Sequence, residues 1–421
     1  MTTSTLLTNA LLIDGTGQAA VHGASVLVEG QSIKTVSPGP LEVPPEVERI
    51  DLGGRALLPG LIDAHVHVVV TSDIAKLLSG GRLPPAVIHA LQVKDALEKT
   101  LAAGFTTVRD AGGATQEIRE AVEQGYINGP RLLLSCGVLS QTGGHGDLTP
   151  AHGSSGYGMA FWGIGAQAAV CDGVPDVIKA ARQQLKNGAD WIKVMAGGGV
   201  MSPHDPLEAV QFTQDELRAA VDVAKSAGKE VMAHCHSPAA IRHAVLAGVR
   251  SIEHGTFISE DLIELMAERG CALIPTLTVM NAFDPAGGGA NLPETQRRKM
   301  AEAVARAGAS MRLALAHHDK IQVGSGTDAF GGAMQGKNGE ELVWKARLGL
   351  SPMEAVVSAT RVNAEICGLA DKLGTVTAGK WADMIVVDGN PLADVELFAR
   401  PDKIVMVMKE GRVVKDLLAR S

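Results

Sequence analysis

His65-Val-His67 closes an apolar run, Ala56-Leu-Leu-Pro-Gly-Leu-Ile-Asp-Ala64. On a strand, residues i and i+2 point to one face, so both imidazoles can reach a single metal ion. By itself the pair reads equally well as two polar residues at a strand end. Further runs carry the same kind of ending. Glu230-Val-Met-Ala leads to His234, Val249-Arg-Ser-Ile-Glu to His254, and Lys320-Ile-Gln-Val-Gly-Ser-Gly-Thr to Asp328. Four imidazoles and one carboxylate gathered at strand ends make a divalent-metal ligand set, and its nitrogen content favours zinc. Lys193 lies inside the apolar run Trp191-Ile-Lys-Val-Met195. An ammonium buried beside metal cations is disfavoured, so the neutral amine can add carbon dioxide and become an anionic carbamate that bridges two metals. The plainer alternative is a lysine whose stem packs in the interior while its amine pairs with a carboxylate.

These residues need a scaffold that brings many strand ends together. Eight short apolar or β-branched runs occur in order, the others starting at Phe105 (ending at Asp110), Arg131 and Cys271. Helical stretches lie between them. Thr213-Gln-Asp-Glu216 is a capping box opening a helix through Lys225, Ser237-Pro opens one that Gly248 stops, and Ser351-Pro-Met-Glu354 opens a third. Eight βα units with polar side chains at the strand C-termini predict an α/β protein with a (β/α)8 barrel over residues 60–370. A doubly wound sheet is the alternative, but it does not usually collect polar side chains from so many successive strands. Residues 1–59 and 371–421 hold short strands with turns at Asp14-Gly15, Glu29-Gly30, Asp388-Gly-Asn-Pro and Lys409-Glu-Gly-Arg. Neither end supplies enough strands for a core, so the two are expected to pair into one small β-sandwich domain.

Composition narrows the classes. The 421 residues are 46% hydrophobic and 20% charged, enough to bury a large core. A net charge of −8 with 3% aromatics excludes a general nucleic-acid binder, which needs a basic face. No apolar stretch reaches the roughly 18 residues of a membrane span. The first ten residues lack a basic region followed by an apolar one, so a cytoplasmic protein is expected, although a secreted or periplasmic precursor already processed would read the same. The five cysteines are scattered without CxxC spacing, which points to neither a disulfide framework nor a thiolate metal site.

The order HxH, Lys, His, His, Asp resembles the amidohydrolase superfamily, in its binuclear branch with a carboxylated lysine. Local phrases tighten the likeness: Leu58-Pro-Gly-Leu-Ile-Asp-Ala-His-Val-His67, Thr142-Gly-Gly-His-Gly-Asp147, Val231-Met-Ala-His-Cys-His236, Ser251-Ile-Glu-His-Gly255, Gly324-Ser-Gly-Thr-Asp328 and Ala378-Gly-Lys-Trp-Ala-Asp-Met-Ile-Val-Val387. They look like the Xaa-Pro dipeptidase-like and carboxypeptidase group, which includes ochratoxin-hydrolysing amidohydrolases. The resemblance implies that His65, His67 and Asp328 hold one zinc ion and His234 and His254 a second, with carboxylated Lys193 between them. A shared hydroxide would attack an amide carbonyl, and Asp328 would take its proton and pass it to the leaving amine. The implied substrate is a small amide or peptide ending in a free carboxylate, and the resemblance also suggests a homo-oligomer.

His145, in the Gly-rich loop after the third run, is the candidate donor to the reaction's oxyanion, or equally to the substrate carboxylate. His236 shares the face of His234 one layer further out and is a candidate pocket residue. Gly197, Gly198 and Gly199 could offer backbone N–H groups to an anion, or could form a tight turn needing positive φ. Many relatives carry Ser or Thr at the position of Gly197, so a hydroxyl contact there is absent. Met195, Met201 and Met232 read as core or pocket wall. Asp110 is a candidate support for the site. His317 and His318 lie on the helix before the eighth run and His22, His89 and His243 in surface-like contexts, so all five read as ordinary, while His152 and His204 fall in loops that could cover the mouth. Specificity is expected in loops 69–90, 140–165, 197–212 and 281–300. Two rivals remain. A mononuclear deaminase on the same scaffold usually lacks the lysine and has a Glu soon after the fifth-strand histidine, whereas Cys235-His-Ser-Pro follows His234 here. A non-catalytic scaffold is expected to have lost ligands, and all six are kept.

Overall fold

The structure is a computed structural model that describes residues 4–72, 83–149, 163–202, 204–284 and 292–418. Five strands open the chain: β1 (Ser4–Leu12), β2 (Val21–Glu29), β3 (Ser32–Ser37), β4 (Glu48–Asp51) and β5 (Ala56–Pro59). Nine follow in the middle: β6 (Leu61–Val66), β7 (Phe105–Asp110), β8 (Arg131–Leu134), β9 (Leu139–Ser140), β10 (Ala169–Val170), β11 (Trp191–Met195), β12 (Glu230–Cys235), β13 (Ser251–His254) and β14 (Ala272–Ile274). Three end it: β15 (Met384–Val387), β16 (Ile404–Lys409) and β17 (Arg412–Asp416).

The two ends pair as expected. One mixed sheet runs β17-β16-β15-β5-β1-β2-β3, with β4 on β1. Its hairpins turn at Gly30 and Gly411, both at positive φ. One face buries Leu7, Val26, Met384 and Met406 in a core of its own. All pairings among β6 to β14 are parallel, in the orders β6-β7-β8 and β10-β9-β11-β12-β13-β14. Helices between these strands cover them. The capping boxes at Thr213–Glu216 and Ser351–Glu354 both form, and Gly248 ends its helix in the left-handed conformation at φ 95°.

Three apolar runs are less regular than the sequence suggests. The run leading to His65 divides at Gly60: β5 joins the mixed sheet and β6 the parallel one. A Cβ on Gly60 would lie 2.2 Å from Thr106 Oγ1, so only glycine lets the chain cross there. The third run breaks between β8 and β9, where Cys136 takes φ 56° and Gly137 passes against the Gln167 carbonyl. The run ending at Asp328 forms no ladder. Its bonds are few: Leu273 N to Gln322 O and Gly324 N to Leu273 O, both 2.9 Å, on one side, and Ala64 N to Ser325 O at 2.9 Å and Asp328 N to His65 O at 2.7 Å on the other. Gly326 abuts Ile274 and His65 too closely for a side chain, so this segment wedges between β14 and β6.

Asn363 holds that wedge from below. Its Oδ1 accepts from Ser325 N at 2.9 Å, and its Nδ2 donates to Ile62 O at 2.6 Å and Ser325 O at 2.7 Å. The residue is fully buried, so Asn363→Ala leaves strand groups without partners. We expect it to lower unfolding free energy by about 3 kcal/mol, read as a shifted urea midpoint with unchanged slope.

Candidate active site

The six expected ligand positions meet at one end of the parallel strands. His65, His67, Lys193, His234, His254 and Asp328 all line one cavity of about 680 Å3, its open mouth included. Ring centroids stand 5.0 Å apart for His65 and His254 and 4.5 Å for His234 and His254. Asp328 Oδ1 lies 3.5 Å from His65 Nε2 and 3.3 Å from His67 Nε2. One ligand atom each from His65, His254 and Asp328 lies within 4.8 Å of the other two. His254 and Asp328 sit at φ 70° and 53°, a left-handed backbone that non-glycine residues adopt at a cost. That turn at the strand ends carries both side chains over the cavity.

Each imidazole is oriented by its other nitrogen. His65 Nδ1 lies 2.5 Å from Glu253 Oε2, His67 Nδ1 donates to Gly112 O at 2.9 Å, and His254 Nδ1 is 2.7 Å from Thr276 Oγ1. His234 uses Nε2, 3.3 Å from Gly198 O, which leaves Nδ1. Asp110 accepts from Val68 N, Gly112 N and Ala114 N, so it fixes the loop whose carbonyl holds His67. Burial, with Lys193 adding to it, lowers the His67 pKa to about 4 and those of His65, His234 and His254 well below the usual value. Neutral imidazoles keep their lone pairs for a cation. Burial also lowers Lys193 to about 8, against the pull of Glu253 and Asp328. It raises Asp328, against Lys193.

A divalent cation fits this donor set. His65 Nε2 is buried with no hydrogen-bond partner, although Nδ1 of the same ring is firmly held. Such an orphan costs free energy unless something binds there. Lys193, 1% exposed, makes no hydrogen bond or ion pair among the described residues, an unfavourable setting for an ammonium.

The residues around the mouth correct part of the sequence reading. Gly198 N donates to Ala209 O at 3.0 Å and Gly199 N to Asp205 Oδ2 at 2.9 Å, so these two amides are not free for an anion. None of Gly197, Gly198 and Gly199 has positive φ, so a turn is not their reason either. Close approach is. A Cβ on Gly199 would sit 2.2 Å from the His145 ring, one on Gly198 1.9 Å from Pro206 O, and one on Gly197 3.0 Å from Ala240 Cβ. His145 therefore lies against Gly199 on one side and stacks on His234 at 4.2 Å on the other, its Nδ1 2.8 Å from Ser202 Oγ. It borders the cavity as expected, and burial lowers its pKa to about 4. His236 is buried with Nδ1 2.6 Å from Thr256 Oγ1 and faces an adjoining chamber. His89 is not a surface residue: it is fully buried, and its Nε2 lies 2.7 Å from Val69 O, joining helix Ala86–Ala102 to the loop after His67. Met195 and Met201 line the cavity, Met232 is core, His204 is exposed, and His152 lies outside the described residues.

Sequence reasoning missed Arg109, Glu253 and Lys299. Arg109 Nη2 donates to Glu253 Oε1 at 2.9 Å, its Nε to Ala64 O at 2.7 Å, and its guanidinium lies 4.5 Å over Trp191. Both charges are fully buried beneath the ligands. The available signal was one cation and one anion placed inside apolar strand runs, an arrangement that pays only when they pair. Lys299, from helix Glu294–Ala316, donates to the carbonyls of Gly199, Ser202 and Asp205 and so fixes the loop under His145.

Parallel strands whose C-terminal ends carry imidazoles and a carboxylate define a metal-dependent hydrolase. The chain belongs to the amidohydrolase family, whose model matches residues 56–414. It is 32% identical to the ochratoxinase of Aspergillus niger over 98% of this chain and 86% of that protein. The crystal structure of a prolidase complexed with N-methylphosphonate-L-proline is similar at TM-score 0.91 and 36% identity, covering 98% of this chain and 100% of that one. A Xaa-Pro dipeptidase with methionine bound in its active site matches at TM-score 0.88 and 31% identity, over 98% of this chain and 100% of that one.

Removing the Glu253 charge tests the support under His65. Glu253→Gln leaves Arg109 buried without its counter-charge and loosens the His65 ring. We expect metal affinity to fall about 10- to 100-fold, measured by competition with a chelator, and unfolding free energy to fall by about 3–5 kcal/mol.

Proposed function

We propose that this chain is a two-zinc amidohydrolase, built on a (β/α)8 barrel, that cleaves the amide bond to an amino acid whose α-carboxylate is free. Dipeptides, N-acyl amino acids and ochratoxin A, cleaved to ochratoxin α and phenylalanine, belong to this class. The carrying observation is the buried triad His65, His254 and Asp328, with an unpartnered His65 Nε2 facing the cavity. The likeness to an ochratoxinase and to proline-directed dipeptidases over nearly the whole chain supports the amide substrate. The barrel reading is supported by bonds that run from β14 through the 322–329 segment to β6.

His65, His67 and Asp328 would hold one ion and His234 and His254 the other. A bound ion of this kind supplies a Lewis acid for the amide carbonyl and a water that deprotonates near neutral pH. Lys193 contributes a carbamate: its neutral Nζ adds the carbon of carbon dioxide and releases one proton, leaving an anion with two oxygens. Asp328, a carboxylate lining the cavity beside His65 and His67, would accept a proton and deliver it to the leaving nitrogen. His145, held by Gly199, Ser202 and the His234 ring, would donate to the substrate oxygen that gains charge. His236, with Nδ1 held by Thr256, would be the nearby partner for the α-carboxylate.

Asp328→Asn keeps size and one oxygen but cannot take the proton. We expect kcat to fall by at least about two to three orders of magnitude, with metal still bound by elemental analysis. Near-normal turnover of the metallated variant would refute the shuttle. The class of substrate is tested by comparing one cleaved compound with its C-terminal methyl ester, on protein carrying close to two zinc ions per chain. The free acid should lead in kcat/KM by roughly a hundredfold, since a blocked carboxylate leaves its partners unpaired. Equal rates would leave a general amidohydrolase, and full activity without metal would end the reading.

A further inference from the structure

A second chamber of about 420 Å3, its opening included, adjoins the catalytic cavity. The two share His145, Met201, His234, His254, Asp328 and Phe330, so whatever fills the chamber stays connected to the reacting centre. The rest of the chamber wall is Val200, Val279, Met280, Met300, Ala303 and His236. Apart from the histidines and Asp328 at the inner end, every described lining residue is apolar. None of them is Lys or Arg, and Asp328 alone is acidic.

The wall is preformed. Val279 and Met280 come from helix Leu277–Ala282, and Met300 and Ala303 from one face of helix Glu294–Ala316. Phe330 is backed by Phe283, stacked at 5.2 Å. Lys299, beside Met300, anchors the long helix to the carbonyls of Gly199 and Ser202 at 2.9 and 2.8 Å. Three thioethers, from Met201, Met280 and Met300, give this wall a soft surface that adapts to side chains of different shape. His236 stands at the chamber's edge with Nδ1 held by Thr256, which puts a candidate carboxylate partner beside an apolar hole.

We propose that this chamber receives the side chain of the leaving amino acid and selects bulky uncharged ones, such as leucine, methionine or phenylalanine, over small and over charged ones. The inference rests on the amide-hydrolase reading and names its substrate class. A buried apolar side chain leaves water for an apolar wall, whereas alanine leaves that wall uncovered. A lysine side chain would lose its water with Asp328, already engaged at the centre, as the only anion among the described lining residues. An acidic side chain would meet no Lys or Arg among the described lining residues, and Lys193 in the neighbouring cavity is an anion once it carries its carbamate.

The test uses N-acetyl amino acids that differ only in the side chain, on zinc-loaded full-length protein. Norleucine and lysine share a four-carbon stem, so their ratio isolates the charge. We expect kcat/KM for N-acetyl-norleucine to exceed that for N-acetyl-lysine by about 100-fold or more and that for N-acetyl-alanine by about 10- to 100-fold. Ala303→Leu, which fills the chamber, should cut the norleucine-to-alanine ratio at least about tenfold. Met300→Glu should move the lysine-to-norleucine ratio up by a similar factor. The wild-type series decides even if a variant fails to fold. A flat series, or lysine equal to norleucine, overturns the chamber assignment and leaves the hydrolase standing. No cleavage of any N-acetyl amino acid by the two-zinc protein overturns the amide reading, and the chamber assignment with it.

Discussion

The ion pair of Arg109 with Glu253 is the constraint on which the site stands. Two full charges away from water are unfavourable unless every donor and acceptor is met. Here Glu253 receives Arg109 Nη2 and Ser251 Oγ on one oxygen and the His65 ring on the other. The other two nitrogens of Arg109 donate to Ala64 O and Ser251 Oγ, and the guanidinium covers the Trp191 ring. The pair thereby ties β6, β7, β11 and β13 together below the cavity. A slip of any one strand would break a charged hydrogen bond in a dry interior. The gain is register: His65 is held at a fixed height and rotation, with Nε2 aimed outward.

The chemistry at strand ends was legible because a ligand must be a histidine or carboxylate and must follow an apolar run. His65, His67, His234, His254 and Asp328 meet both conditions, Lys193 stands out instead as a lone cation inside an apolar run, and all six line one cavity. Turn and cap signals were legible for the same local reason, as at Thr213–Glu216 and Gly248. Breaks inside apolar runs were not. Gly60, Gly137 and Gly326 act through what a Cβ would strike, namely Thr106, Gln167 and Ile274. Each of those neighbours is remote in sequence or belongs to another strand, so periodicity carries no trace of the clash. Arg109 and Glu253 were missed because each looks like an isolated charge until the fold pairs them across 144 residues.

The mouth shows the same limit more sharply. Reading Gly197 to Gly199 as amide donors took the glycines for what their backbone can offer. The fold uses them for the volume they lack. Gly199 makes room for a ring, its N–H is taken by Asp205, and its carbonyl by Lys299 from a helix 100 residues on. His145 acquires its position only when these parts assemble. Three contacts then define its plane: the bare Cα of Gly199, the His234 ring and the Ser202 hydroxyl.

Backbone strain at the strand ends completes this arrangement. His254 and Asp328 hold left-handed conformations that cost roughly 1 kcal/mol or more each. Both are fixed by neighbours. Thr276 grips the His254 ring, and Asp63 binds the backbone on either side of the Asp328 strand end, accepting from His65 N and Thr327 N at 3.1 Å and from Thr327 Oγ1 and Asn338 Nδ2 at 2.6 and 2.7 Å. Folding supplies the free energy for this strain before any ligand arrives. The imidazoles and the carboxylate need little further reorganisation to take up a cation, so the binding free energy is not spent on turning them. A centre built from flexible strand ends would bind with the same donor atoms and lose that advantage, which is why the left-handed residues sit at ligands and not elsewhere along β13 or the 322–329 segment.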